Sequence, residues 1–267
     1  MDLVFLGSGG GRWVTLTQRM RTGGFRIHDN ENIHVDPGPG ALIAMHEERI
    51  DPLKTDAVFV THCHPDHYND AEILIEAMTG GATRKRGALA GSGSVLVGSD
   101  TLGPAISKYH QSKVLERCVL KLGQKVEVGD VTIEALPTKH SDPSTVGLKF
   151  YTDAGTITYS SDTEYFDGLL EEYRDSQILV LNTMRPASNR IPWHLCTDDA
   201  ITILKEVRPK LAILNHFGMK MLGIRYKETK RVEEESGVKT LPADDGMRLN
   251  ISDILEGVSR EKGFRKL

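Results

Sequence analysis

Cysteine is scarce in this chain, with three residues in 267: Cys63, Cys118 and Cys196. The count is odd, the spacing is wide and no C-x-x-C pair occurs, which excludes a disulfide framework and favours a reduced, intracellular setting. Long hydrophobic runs are also missing. The opening Met1-Asp2-Leu3-Val4-Phe5-Leu6-Gly7 has no basic stretch and only four consecutive apolar residues, so it reads as neither signal peptide nor membrane span. The expected location is the cytoplasm, with no membrane partner. Neither charge sign dominates: 33 Lys and Arg against 37 Asp and Glu leave a net charge of −4. Any affinity for an anion must therefore be local. There is no internal repeat, low-complexity tract or long linker, so one domain is expected over residues 1–267. Whether copies associate into a homo-oligomer is left open. At 39% hydrophobic and 26% charged residues, the composition is that of an ordinary globular protein able to bury a substantial core.

Against this background one stretch stands out, Thr61-His62-Cys63-His64-Pro65-Asp66-His67. It follows the short apolar run Ala57–Val60, which reads as a buried strand, and precedes Ala71–Met78, which reads as a helix. Four potential metal ligands thus lie within six residues at a strand end. In extended backbone His62 and His64 face the same side, so two imidazoles can hold one ion. Pro65 stops the extension, and the turn after it can swing Asp66 and His67 towards a second ion. Imidazole and carboxylate suit Zn²⁺ and its first-row neighbours. Cys63 points away from its flanking histidines, which favours packing over ligation.

The rest of the chain repeats one pattern: an apolar strand, a polar ligand-type residue at its end, then a helix. Leu3–Leu6 reads as a first strand running into Gly7-Ser8-Gly9-Gly10-Gly11. A dinucleotide-binding loop is excluded there, because the G-x-G-x-x-G spacing is absent and no amphipathic helix is expected after it. Arg12, Arg19 and Arg21 follow as loop charges, one of which could clamp a phosphate. Strands are expected near Gly24–Ile27 and over Asn32–Val35. Asp36 then either orients a ligand histidine or caps the Pro37-Gly38 turn, and a helix over Ala41–Glu48 follows.

Further on, Gly80–Gly87 is a short basic loop, Ser94–Val97 reads as a strand, and a helix is expected near Ala105–His110. Lys125–Val128 and Val131–Glu134 alternate around Gly129-Asp130 as a two-residue hairpin. Strands at Val146–Tyr151, Thr156–Ser160, Ile178–Asn182 and Leu211–Asn215 alternate with helices at Glu164–Tyr173, Asp198–Val207 and Tyr226–Ser236. This places His140, Asp162 and His216 at strand ends and His194 on a loop, where α/β proteins build their sites. Ser259–Leu267 is a short basic tail.

These residues carry a resemblance. His62-x-His64-x-Asp66-His67 resembles the signature of the metallo-β-lactamase superfamily. Phe5-Leu6-Gly7-Ser8-Gly9, Asp36-Pro37-Gly38, Tyr159-Ser160-Ser161-Asp162-Thr163, Trp193-His194, Asn215-His216-Phe217-Gly218 and Ala243-Asp244-Asp245-Gly246-Met247 resemble blocks of its ribonuclease Z-like members. The resemblance implies an α/β fold, a four-layer αββα sandwich of two mixed β-sheets. It also implies two divalent metal ions, Zn²⁺ with Mn²⁺ or Fe²⁺ as alternatives. His62, His64 and His140 would hold one ion and Asp66, His67 and His216 the other, with Asp162 bridging.

A hydroxide between two such ions can attack phosphorus, and the implied function is a phosphodiesterase acting on a small or nucleotide-like phosphodiester, with Asp66 orienting the nucleophile and His194 assisting the leaving group. The acidic helper of that histidine in the family is not apparent; Tyr159 or Ser160 stands where it would lie. The same centre could open a lactone, thioester or amide. The long arm with which ribonuclease Z grips transfer RNA has no room between His140 and Asp162, and no basic stripe replaces it, so transfer RNA is a doubtful partner. A flavin-dependent redox role lacks its flavin-binding module, and a metal-free scaffold role is at odds with seven intact ligand positions.

Overall fold

The computed structural model describes residues 1–99 and 102–257; the basic tail at Ser259–Leu267 lies outside them. The strands of the first half are β1 (Asp2–Phe5), β2 (Phe25–His28), β3 (Asn32–Val35), β4 (Ala57–Val60), β5 (Ala88–Gly91) and β6 (Glu116–Val119). Those of the second half are β7 (Lys125–Val128), β8 (Val131–Leu136), β9 (Gly147–Thr152), β10 (Gly155–Tyr159), β11 (Ile178–Arg185), β12 (Leu195–Cys196), β13 (Leu211–Asn215), β14 (Thr240–Pro242) and β15 (Arg248–Asn250). The helices are α1 (Arg12–Thr17), α2 (Ala41–Glu47), α3 (Pro65–Tyr68), α4 (Ala71–Met78), α5 (Gly93–Leu96), α6 (Lys108–Gln111), α7 (Leu169–Tyr173), α8 (Thr197–Val207), α9 (Arg225–Ser236) and α10 (Ile251–Leu255).

Two mixed sheets result. The first has the order β15-β1-β2-β3-β4-β5-β6, and the second β14-β13-β11-β10-β9-β8-β7 with β12 beside β11. β15 crosses from the end of the chain to pair antiparallel with β1, Leu3 opposite Leu249. Because side chains alternate along a strand, a run that is apolar at every position is buried on both faces. In and just after β1, Leu3 and Phe5 enter the core between the sheets, whereas Val4 and Leu6 join the core beneath α4. In β13, Leu211 and Ile213 face inward while Ala212 and Leu214 face outward with residues of α7, α8 and α9. Three apolar cores therefore separate four layers, and the architecture is an αββα sandwich. Among the described residues, no helix is long and apolar enough to cross a membrane.

Several local expectations change. Residues 94–97 are not a strand: α5 spans Gly93–Leu96, and Val97 N–H donates to the Gly93 carbonyl at 2.9 Å. The neighbouring place in the sheet is taken by β5, whose small residues Ala88, Ala90 and Gly91 give a weak strand signal. α6 begins at Lys108, after Ser107, whose hydroxyl accepts from His110 N–H. α7 begins at Leu169, because Gly168 at φ +95° interrupts helical geometry. The glycine-rich loop does run into a helix, the six-residue α1. Yet β1 pairs antiparallel with β2, so no βαβ unit forms and a dinucleotide loop stays excluded. The hairpin at Gly129-Asp130 is as expected, Val128 opposite Val131 with Gly129 at φ +55°.

Candidate metal centre

The loops after β1, β3, β4, β8, β10 and β13 converge at one end of the sandwich, and each delivers one piece of the site. After β4, His64 keeps extended backbone and Pro65 occupies the first position of α3, where its missing N–H and fixed φ suit a helix start. That single turn separates the ligands. His62 and His64 stay with His140 and Asp162, whereas Asp66 and His67 are carried to His216. Within each group the potential ligand atoms lie within 4.8 Å of one another.

Asp162 stands between the groups. Its carboxylate is 4.0 Å from Nε2 of both His62 and His140, 3.6 Å from His67 Nε2 and 3.5 Å from His216 Nε2. Asp66 Oδ2 lies 3.3 Å from His216 Nε2 and accepts from Gly11 N–H at 2.7 Å.

The far side of each imidazole shows which nitrogen faces inward with a lone pair. His140 Nδ1 lies 2.9 Å from the Trp193 carbonyl, which can only accept. His67 Nδ1 lies 2.9 Å from Asp36 Oδ2, also an acceptor. Thr61 gives its hydroxyl proton to Asp36 at 2.9 Å, leaving its oxygen to accept from His62 Nδ1 at 3.1 Å. In the neutral rings all three Nε2 atoms therefore point lone pairs inward. Inward nitrogens meet at hydrogen-bond distance, His62 Nε2 and His140 Nε2 at 3.0 and 3.1 Å from His64 Nδ1, and His67 Nε2 at 3.1 Å from His216 Nε2. Lone pairs converging on one another, with outer partners fixing the rings, are the donor set of a divalent cation site. The residues present fit two such ions.

The buried charges of the two groups are coupled. Burial alone would raise the Asp162 carboxyl, but His216 and His67 hold it well below the usual carboxylate range. Burial pulls His67 down, yet Asp162 and Asp36 carry it well above an ordinary histidine. Burial, reinforced by His67, keeps His62 well below. Backbone strain is also concentrated here: Asp36, Ser161, Trp193 and His216 all have φ between +52° and +69°. Non-glycine residues held in this region cluster at functional sites.

A family model described as a β-lactamase superfamily domain matches residues 31–217, a span that holds both groups. The chain belongs to the metallo-β-lactamase superfamily. An uncharacterized protein of Methanocaldococcus jannaschii is 45% identical over 254 residues, covering 94% of this chain and 95% of that protein. Among solved structures, the metallo-β-lactamase fold protein YhfI of Bacillus subtilis is similar at a TM-score of 0.76 and 20% identity, over 93% of this chain and 98% of its own. A diphosphatase from the PhnP family is similar at 0.69 and 20% identity, over 94% and 98%. The superfamily's metallo-hydrolase fold is thus the fold of this chain, with candidate metal-binding groups of histidine and aspartate at the end of its sandwich.

Of the two roles open to Asp36, this superfamily member uses it to orient a histidine. Its Oδ1 accepts from Thr61 N–H at 2.8 Å, and its Oδ2 accepts from Thr61, His67 and the Tyr159 hydroxyl at 2.9 Å. Tyr159 and Ser160 do not assist His194. The Tyr159 hydroxyl is held by Asp36 and Asn182, and Ser160 bonds Ser161 and Asn182 backbone. His194 instead faces Asp162 Oδ2 at 3.4 Å through Nε2 and the Pro192 carbonyl at 3.1 Å through Nδ1. Burial would lower its pKa, but the hydrogen bond to Asp162 raises it.

Cys63 packs against the apolar core beneath α4, and neither it nor Cys196 joins a ligand group. Arg21 is neutralised by Glu47 at 2.6 Å and Glu48 at 3.2 Å, while Arg12 and Arg19 are exposed. Sequence reasoning missed Asn182, whose Nδ2 donates to Asp162 Oδ1 at 2.8 Å. Its signal was available: it is a polar residue closing the buried run Ile178–Leu181, as at the other ligand positions.

Proposed function

We propose that this chain is a binuclear metal-dependent phosphodiesterase acting on a small or nucleotide-like phosphodiester. The observation that carries the reading is the position of Asp162, within 4.0 Å of histidines from both groups and 3.4 Å from the non-ligand His194. His62, His64 and His140 would hold one divalent ion, and Asp66, His67 and His216 the other, with Asp162 shared. Zn²⁺ suits this nitrogen-rich set, and Mn²⁺ or Fe²⁺ are compatible. When bound, such a pair supplies Lewis acidity at phosphorus and a nucleophile drawn from water at neutral pH.

The protein's own groups do the rest. Asp66, anchored by Gly11 N–H, orients the attacking water. His194, set between two acceptors, keeps a proton on Nε2 and passes it to the leaving oxygen. The likeness to a PhnP-family diphosphatase supports phosphate chemistry. The β9–β10 hairpin turns at Asp153 and Ala154, with no extension there to grip transfer RNA, which favours a small substrate.

The test is turnover of bis(p-nitrophenyl) phosphate beside a lactone, thioester and amide panel, with bound metal counted by elemental analysis. Phosphodiester hydrolysis that follows two ions per chain and disappears in His64→Ala is the expected result. Carbonyl substrates turned over without phosphodiesters would replace this reading with the lactone, thioester or amide hydrolase.

A further inference from the structure

On the outer face of the first sheet lies a second polar feature, which shares no residue with the metal centre. Arg26 on β2 is 1% exposed, one of the largest fully buried side chains in the protein. Its cross-strand neighbours are Val4 on one side and His34 on the other, and Arg248 follows across Val4. Its Nη1 donates to Thr55 Oγ1 at 2.9 Å, but Nε and Nη2 are buried with no partner among the described residues. A guanidinium taken out of water with donors unmade is costly, and such a group normally has an acceptor. The nearby carboxylates do not serve. Asp56 gives one oxygen to Arg86 and the other to Asn32, and Asp51 accepts from Leu53 N–H.

Arg26 also lines a cavity of about 220 Å³. Around it stand Arg49, Lys54 and Arg248, with His28 and a single carboxylate, Asp51. Arg49 and Lys54 are exposed and form no ion pair among the described residues, and Arg248 reaches only Asp2 at 3.3 Å. Four permanent cations therefore face one anion across a small space. Nε and Nη2 of Arg26 are shut off from the cavity surface, so this guanidinium acts on an occupant through its charge, and Arg49, Lys54 and Arg248 supply the reachable donors for the oxygens of a carboxylate or phosphate. A lining charge of this sign favours a dianion. The volume is below the roughly 300–1,000 Å³ of pockets for drug-sized ligands, which restricts the occupant to a phosphate or its ester with a few atoms beyond phosphorus.

We propose that this cavity binds a phosphate dianion, free or as a small phosphomonoester, held by Arg49, Lys54 and Arg248 above the buried Arg26 guanidinium. The site is independent of the hydrolase reading. The experiment is isothermal titration of metal-loaded protein with inorganic phosphate and, separately, glycerol 3-phosphate, at low ionic strength. It is run on wild type, on the surface variant Arg49→Ser/Lys54→Ser, on Arg26→Met and on His64→Ala.

The surface variant is expected to weaken one binding class at least tenfold while leaving metal content and the thermal midpoint without ligand unchanged. That class is expected to persist in His64→Ala, which separates it from any phosphate at the metal centre. Arg26→Met, where it folds, weakens it as well. Tighter binding of glycerol 3-phosphate than of phosphate identifies the ester as occupant, and the reverse identifies the ion; either supports the site. Phosphate binding unaltered in the surface variant, or lost altogether in His64→Ala, overturns it.

Discussion

Asp36 shows how much one side chain can organise without touching an ion. Four donors from three residues end on its two oxygens. One of these bonds sets the ring of His67, and another, through Thr61, leaves an oxygen to receive His62 Nδ1–H. Asp36→Ala would leave the Tyr159 hydroxyl and Thr61 N–H buried without acceptors. The expected cost is about 3–5 kcal/mol in urea unfolding, together with roughly 10–100-fold weaker metal binding by competition with a chelating dye. Unchanged metal affinity would mean the histidines are positioned by packing alone. His194 makes the opposite case, since it is partly exposed and supports no fold. His194→Ala should keep its metal and its melting temperature but lose roughly 10²–10⁴ in turnover of a phosphodiester. Full turnover would remove it from the reaction.

At the scale of elements, the glycine-rich loop after β1 is there because of what lies behind it. A Cβ on Gly10 would stand 2.2–2.3 Å from three atoms of the His216 ring, so only glycine lets the loop close over that histidine. Gly10→Ala should fold, as read by circular dichroism, while elemental analysis finds the metal of the Asp66–His67–His216 group depleted. Retention of two ions per chain would show that the loop can move aside at no cost. Between the sheets, Phe25 meets Tyr159 edge to face at 4.9 Å and 75°, which ties the strand behind the site to the inner core. Phe25→Ala should cost about 3–5 kcal/mol by urea denaturation, and a loss below 1 kcal/mol would mean that the two sheets close over the gap.

For the whole molecule, the candidate metal centre joins loops of both sheets, so ions held there would bind the folded state alone. Removing them with a chelator should lower the thermal midpoint, and restoring free metal to a thousandfold excess over its Kd should return about 4 kcal/mol. His34 adds a pH dependence of its own. Burial, with Arg26 beside it, pushes its pKa down to about 3, while in the unfolded chain the value is near 6.5.

The unfolded state therefore takes up a proton that the folded state refuses. The contribution of neutral His34 is complete above about pH 6.5 and is lost as pH falls through 3, by up to roughly 5 kcal/mol. Urea midpoints of wild type should fall more steeply between pH 7 and pH 4 than those of His34→Gln. Parallel curves would show that the folded protein accepts the proton.

The sequence by itself determined which side chains meet at the centre. Ligand chemistry is carried by residue type, and His62 and His216 sit where apolar strands stop, a boundary that β4 and β13 mark with runs buried on both faces. It also determined most strands and the longer helices, because period and capping are local. It did not determine short elements such as α5, α6 and β5. In four residues local preference is weak, and the choice between strand and turn depends on which neighbour already fills the sheet.

The division into two groups is the one the resemblance and Pro65 imply, and in the structure one turn at Pro65 sends Asp66 and His67 towards a histidine 149 residues further on. Only the tertiary structure decided the lone-pair directions of His67 and His140, because the acceptors responsible, Asp36 and the Trp193 carbonyl, lie far from them in the chain. It also decided the burial of Arg26, a charge that in sequence is one more alternating residue of a strand.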